Sequence, residues 1–196
     1  MFGMMSAADN ARRVALVARL YFFFGNGACR PAQDSVDDTH LPNSLWVYPT
    51  AHQPYSSPVD PRIPAGGTAE PITKEGIAAQ RNKIHMRGQD VFKAAVKNLH
   101  SSSQAALDDL GWTGDDLDWI CPHQANLRIV DLAVSKLGLA KERVLLNIDR
   151  VGNTSSASIP ILIDEGVRSS KLRPGDNILL CALGAGISWG SAVITL

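Results

Sequence analysis

The residues able to do chemistry gather in Asp118-Trp119-Ile120-Cys121-Pro122-His123-Gln124-Ala125-Asn126, answered downstream by Gly152-Asn153-Thr154-Ser155. A short apolar run followed by Pro, His and two amides reads as a buried strand ending in a polar loop. Parallel α/β sheets place their ligands at such strand ends. His123 and Asn153 are the first candidates. An imidazole N–H and a carboxamide N–H aimed at one point would stabilise a developing oxyanion or enolate without a net charge in the site. Gly184-Ala185-Gly186 adds backbone N–H groups that a ligand can approach closely, so Gly184 and Gly186 join the list. Each residue also has a plainer reading: Asn153 suits a turn, Gly184 and Gly186 suit a hairpin, and Gln124 suits a surface amide. A Ser/His/Asp arrangement of Ser155 or Ser156 with His123 and Asp149 is the alternative chemistry, but no Gly-x-Ser-x-Gly elbow presents a serine.

The elements that must position these loops follow from periodicity. Between Met86 and Gly111, the apolar residues Phe92, Ala95, Val96, Leu99, Ala106, Leu107 and Leu110 recur at three- and four-residue steps, predicting a long amphipathic helix stopped by Gly111. Thr113 and Asp116 form a capping-box pattern ahead of a strand over 117–121. Asn126 suits an N-cap, with a helix running to Gly138. A strand over 144–148 then leads into the Gly152-Asn153 turn, and Pro160 fits the first turn of a third helix. Strands over 177–183 and 188–196 flank the glycine turn. Strands alternating with helices predict a largely parallel sheet with packed helices, closed by one antiparallel return.

Residues 1–64 differ. Seven prolines between Gly25 and Gly67 argue for an extended or partly disordered segment, anchored in places by Trp46, Tyr48 and Tyr55. The apolar run near Val14 is interrupted by Arg19, too short for a membrane span and without a clean cleavage site. The domain division is thus 1–64, proline-rich, and 65–196. Nineteen basic and nineteen acidic residues cancel, so nothing in the overall charge recruits nucleic acid or an anionic membrane. Cys29, Cys121 and Cys181 make no disulfide framework and no zinc-ligand spacing, which predicts a reduced, cytoplasmic protein with no metal.

Pro122-His123-Gln124-Ala125-Asn126, Gly152-Asn153-Thr154-Ser155-Ser156-Ala157-Ser158-Ile159-Pro160 and Gly184-Ala185-Gly186-Ile187-Ser188-Trp189-Gly190, in that order, closely resemble the C-terminal half of β-ketoacyl-acyl-carrier-protein synthase III. Ile84-His85-Met86-Arg87-Gly88-Gln89-Asp90-Val91-Phe92-Lys93 is similar to the family's helix start upstream. Residues 24–28 faintly resemble the glycine turn that closes the family's first half. The resemblance implies an α/β, thiolase-like half-fold with a mixed, mostly parallel sheet. It implies a decarboxylative Claisen condensation of acyl-CoA with malonyl-acyl-carrier protein in fatty acid biosynthesis, without a permanently bound cofactor. It implies that His123 and Asn153 stabilise the enolate, that Arg128 docks the carrier protein, and that Gln89, Phe92 and Asn126 adjoin the pantetheine tunnel. Phe92 equally suits core packing, and Arg128 an ordinary exposed side chain. The family's nucleophilic cysteine stands at a helix N-terminus in a first half that these motifs do not cover. None of the three cysteines matches it. Two expectations follow: a catalytic half that pairs with an N-terminal half or with a second copy as a homodimer, or a non-catalytic module binding CoA or carrier protein, or serving dimerisation.

Overall fold

The computed structural model describes residues 45–47, 51–52, 62–184 and 187–196. The expectations for Cys29, for residues 24–28, for Tyr48 and Tyr55 and for Gly186 lie outside the described residues. The elements run β1 (Leu45–Val47), β2 (Ala51–His52), α1 (Lys74–Ala78), α2 (Gly88–Leu110), β3 (Trp119–Pro122), α3 (Leu127–Lys136), α4 (Ile148–Val151), α5 (Ser158–Arg168), β4 (Asn177–Gly184) and β5 (Ser188–Thr195). Short 3-10 turns occupy Gly114–Asp116, Lys141–Arg143 and Ser155–Ala157.

Local signals placed most of these boundaries. Gly111 closes α2 in the left-handed conformation, φ 67°, with its N–H bonded back to the last turn. Thr113 and Asp116 form the full capping box around the turn Gly114–Asp116. Asn126 caps α3 by accepting from the Arg128 N–H at 2.9 Å. Thr73 caps the short α1, accepting from the Gly76 N–H at 3.0 Å, an element for which the sequence reading gave no expectation.

The sheet order is β1-β5-β4-β3, with β2 also pairing β5. It is mixed, yet its parallel share is smaller than the alternation of strands and helices predicts. Among the described residues only β3 and β4 pair as parallel strands, while β4–β5, β1–β5 and β2–β5 are antiparallel. The expected strand over 144–148 is the reason. Only Val144 bridges Ile120 in parallel, and Ile148–Val151 is a helical turn. The ladder stops there because the Asn147 N–H donates to the Gln124 side chain at 3.3 Å instead of to a neighbouring strand. β1 and β2 come from the proline-rich stretch and pair with β5 at the sheet edge, where proline-flanked strands are tolerated.

Helices cover both faces, giving three layers. Ala95, Val96, Leu99, Ala106 and Leu107 of α2 and Ile129, Val130, Ala133 and Val134 of α3 pack on one face with Ile120, Leu179, Cys181 and Val193. On the other face, Ile159, Leu162 and Ile163 of α5 pack on Cys121, Ile178, Leu180, Ala192 and Ile194. The alternation along β4 is the period-2 pattern of a strand buried on both sides. Burying one such leucine or isoleucine contributes about 1.5–3 kcal/mol.

Candidate active site

β3 ends in Pro122, and the next residue extends the ladder once more: the His123 N–H donates to the Cys181 carbonyl at 2.8 Å. The half-buried imidazole then meets α5, with Nδ1 2.6 Å from the Ser158 hydroxyl. Ser158 also lies 2.9 Å from the Ser155 carbonyl and receives the Gln124 N–H at 3.3 Å. Ser155 in turn donates its own N–H to Asn153 Oδ1 at 2.9 Å. His123 and Asn153 are therefore joined through Ser158 and Ser155 by hydrogen bonds alone. Burial lowers the His123 pKa from its ordinary 6.5, because removing water penalises the imidazolium.

The loop before α5 is built for this. Gly152 sits at φ 69°, ψ −158°, a region that side chains exclude, so the chain can reverse there only on glycine. Asn153 follows, exposed, with Oδ1 committed to Ser155 because a backbone N–H can only donate. Its carboxamide nitrogen makes no hydrogen bond among the described residues and remains a donor. Asn153 ends a helical turn rather than a strand, so the two candidates meet through α5 and not as ends of neighbouring strands.

Three residues that carry this geometry are not legible as site residues in the sequence. Ser158 reads only as a helix-start serine. Gln124, which suits a surface amide by type, is fully buried: its Nε2 donates to the carbonyls of Pro122 (2.9 Å) and Leu145 (3.4 Å), while Oε1 accepts from Asn147. Asn147, also fully buried, donates to Glu165, and Arg150 pairs with the same carboxylate at 2.7 Å. Arg150, with Asn147 adding to it, holds the Glu165 carboxyl below its ordinary range. The Pro-His-Gln-Ala-Asn run was the one available signal for Gln124.

Of the remaining candidates, Arg128 and Phe92 come together, the guanidinium 5.8 Å from the ring centroid, an arrangement favoured by the ring quadrupole. Gln89 is exposed one turn earlier on α2, and Asn126 spends its side-chain oxygen on the cap of α3. Gly184 is exposed at the end of β4, and a Cβ there would stand 2.7 Å from the Ser188 hydroxyl oxygen. Ile187, beside it, holds φ 45°, a strained value for a β-branched residue.

The described cysteines do not resemble nucleophiles. Burial pushes the Cys121 thiol well above its ordinary range, with Cys181 adding to the effect, and pushes Cys181 up to about 12. The Ser/His/Asp alternative also fails on geometry: the serine that reaches His123 is Ser158, which is 1% exposed, rather than Ser155 or Ser156. Among the described residues no cluster of His, Cys, Asp and Glu could hold a metal ion, and no helix is long and apolar enough to cross a membrane.

Residues 107–196 match the family described as 3-oxoacyl-[acyl-carrier-protein] synthase III, C terminal. A β-ketoacyl-acyl-carrier-protein synthase III of Symbiobacterium thermophilum is 43% identical over 131 residues, 67% of this chain and 40% of the relative. Among solved structures, the 3-oxoacyl-acyl-carrier-protein synthase III of Pseudomonas aeruginosa aligns at TM-score 0.68 and 34% identity, covering 82% of this chain and 46% of that one. The enzyme of Thermus thermophilus aligns at TM-score 0.65 and 33% identity, covering 83% and 48%. The match thus spans about 40% of the length of the Symbiobacterium relative.

Proposed function

We propose that this chain, whose residues 107–196 match the family described as 3-oxoacyl-[acyl-carrier-protein] synthase III, C terminal, supplies the enolate-stabilising half of a decarboxylative Claisen condensation in fatty acid biosynthesis. The substrates are an acyl group from acyl-CoA and a malonyl thioester on acyl carrier protein. The bond from the malonyl methylene carbon to its carboxylate breaks, carbon dioxide leaves, and the electron pair moves onto the thioester as an enolate. The enolate carbon then attacks a cysteine-bound acyl thioester and expels the thiolate. His123 and Asn153 meet the enolate oxygen, where preorganised groups act most strongly because they need no reorganisation.

The observation that carries this reading is the hydrogen-bonded path from His123 through Ser158 and Ser155 to Asn153, which holds both candidates on one loop pair. The nucleophilic thiol comes from outside the described residues, on a paired N-terminal half or a partner chain, since Cys121 and Cys181 are buried and protonated. Homodimerisation is the companion proposal, supported by the exposed apolar side chains of Leu127, Leu132 and Leu146. Arg128 stacked over Phe92, with Gln89 nearby on α2, suits carrier-protein and pantetheine contact. A cytoplasmic location agrees with the unpaired Cys121 and Cys181.

Decarboxylation needs no nucleophile, so it isolates this half-reaction. With malonyl-CoA, the full chain should release carbon dioxide, and His123→Ala should lower the rate about 10²-fold, the scale of losing one oxyanion-stabilising group. No turnover by the wild type, with CoA binding unchanged in His123→Ala, favours a non-catalytic binding module instead.

A further inference from the structure

We infer that Gln124 is a positioning residue: its side-chain amide stands in for the peptide group that Pro122 cannot supply, and so sets the turn bearing Asn153 against the loop bearing His123. Ile120 bridges Val144 in parallel, with the Leu145 N–H donating to the Ile120 carbonyl at 2.8 Å. A parallel ladder repeats every second residue, so the next rung falls to Pro122. An N–H there would meet the Leu145 carbonyl, and the Pro122 carbonyl would meet the Asn147 N–H. Proline has no N–H, so the rung cannot form. The Gln124 amide occupies its place. Nε2 donates to the carbonyls of Leu145 (3.4 Å) and Pro122 (2.9 Å), and Oε1 accepts from the Asn147 N–H at 3.3 Å. These partners fix which way the amide faces, because carbonyls only accept and a backbone N–H only donates. At 0% exposure, Gln124 has no water at hand to replace a lost bond.

The inserted amide spaces two chains where both turn into the site. On one side β3 gives way to His123, and the Gln124 N–H reaches the Ser158 hydroxyl at 3.3 Å. On the other, Asn147 opens α4, whose four residues lead straight to Gly152 and Asn153. Removing the amide strips the Leu145 and Pro122 carbonyls and the Asn147 N–H of their side-chain partner. The start of α4 then shifts, and Asn153 moves relative to His123 although neither residue is altered. The bearing of this on decarboxylation rests on the function proposed above. The brace itself does not.

Malonyl-CoA decarboxylation by the full chain separates positioning from plain packing. Gln124→Met fills a similar volume without hydrogen bonds and should lower kcat about 10- to 10²-fold at little-changed KM, the scale of an ångström-sized misplacement. Gln124→Glu keeps the shape, but only its protonated form can still donate. A buried carboxyl stays protonated to higher pH than an exposed one. Its kcat should therefore approach the wild-type value at the acid end and fall away as the pH rises, measured against the wild-type profile, which contains the same His123. Superimposable profiles overturn the inference, as does a folded Gln124→Met protein with the wild-type kcat, or a Gln124→Glu protein that folds at no pH. If Gln124→Met does not fold, the Gln124→Glu profile decides. If the wild type itself turns nothing over, the proposed reaction fails and amide hydrogen exchange decides the brace. The Ser155 N–H, bonded to Asn153 Oδ1, should then lose more protection than the Leu179 and Leu180 amides in Gln124→Met, or in Gln124→Glu at high pH. An equal loss at all three, or none at Ser155, overturns the inference.

Discussion

Burial is the one cause that shifts the titration of His123, so loss of water sets its direction. Desolvation lowers its pKa below the ordinary 6.5, and the unfolded chain therefore binds this proton first as the pH falls. Between the depressed folded value and 6.5, the unfolded state carries more protons than the native one, and stability rises with pH across that window. The contribution is present in full above 6.5 and is lost as the pH drops toward the folded value. Urea unfolding at a series of pH values should show wild-type stability falling through this window more steeply than that of His123→Gln, which has nothing to titrate. Parallel curves for the two proteins would mean that the ring is solvated. Residue type and spacing made His123 and Asn153 visible as candidates. What joins them, the hydroxyl of Ser158, was invisible because two of its partners, His123 and Gln124, lie some thirty-five residues upstream and no local pattern marks it.

At the scale of elements, legibility tracked how local the cause was. The stripe on α2, the left-handed stop at Gly111, the capping box of Thr113 and Asp116 and the Asn126 cap are each determined within a few residues, and all appear where expected. The strand over 144–148 was misread because its apolar run meets the period of a strand while Gln124, about twenty residues upstream, takes the Asn147 N–H. Long-range competition of that kind leaves no trace in a window. Gly166 is similar: it reads as an ordinary weak point in α5, yet a Cβ there would stand 2.6 Å from Leu172 Cγ and 2.7 Å from Cδ1. Alanine gains up to ~1 kcal/mol of helix propensity over glycine. Overpacking typically costs about 1–3 kcal/mol, and Leu172 is buried on the same face with nowhere to retreat. Gly166→Ala should therefore lower the urea midpoint at unchanged m-value. A raised midpoint would show that Leu172 yields and propensity wins.

The whole molecule is a sheet with a hydrophobic core on each face, and β4 is the element common to both. Leu179 packs with α2 and α3, while Leu180, its neighbour, packs with α5. β4 also holds the only parallel strand pairing among the described residues and hydrogen-bonds to the backbone of His123, so the site and both cores share one strand. Two cores on a common strand should unfold together, because neither face retains a scaffold once β4 leaves. Leu179→Ala and Leu180→Ala each remove a fully buried leucine, and each should cost about 2–5 kcal/mol of stability. In both variants, far-UV circular dichroism and tryptophan fluorescence should report one coincident denaturant transition, displaced to a lower midpoint. Separate transitions, with α5 lost first in Leu180→Ala and α2 and α3 first in Leu179→Ala, would mean that the faces are independent. His123, bonded to β4 on one side and α5 on the other, would then lose its Ser158 contact before the larger core melts.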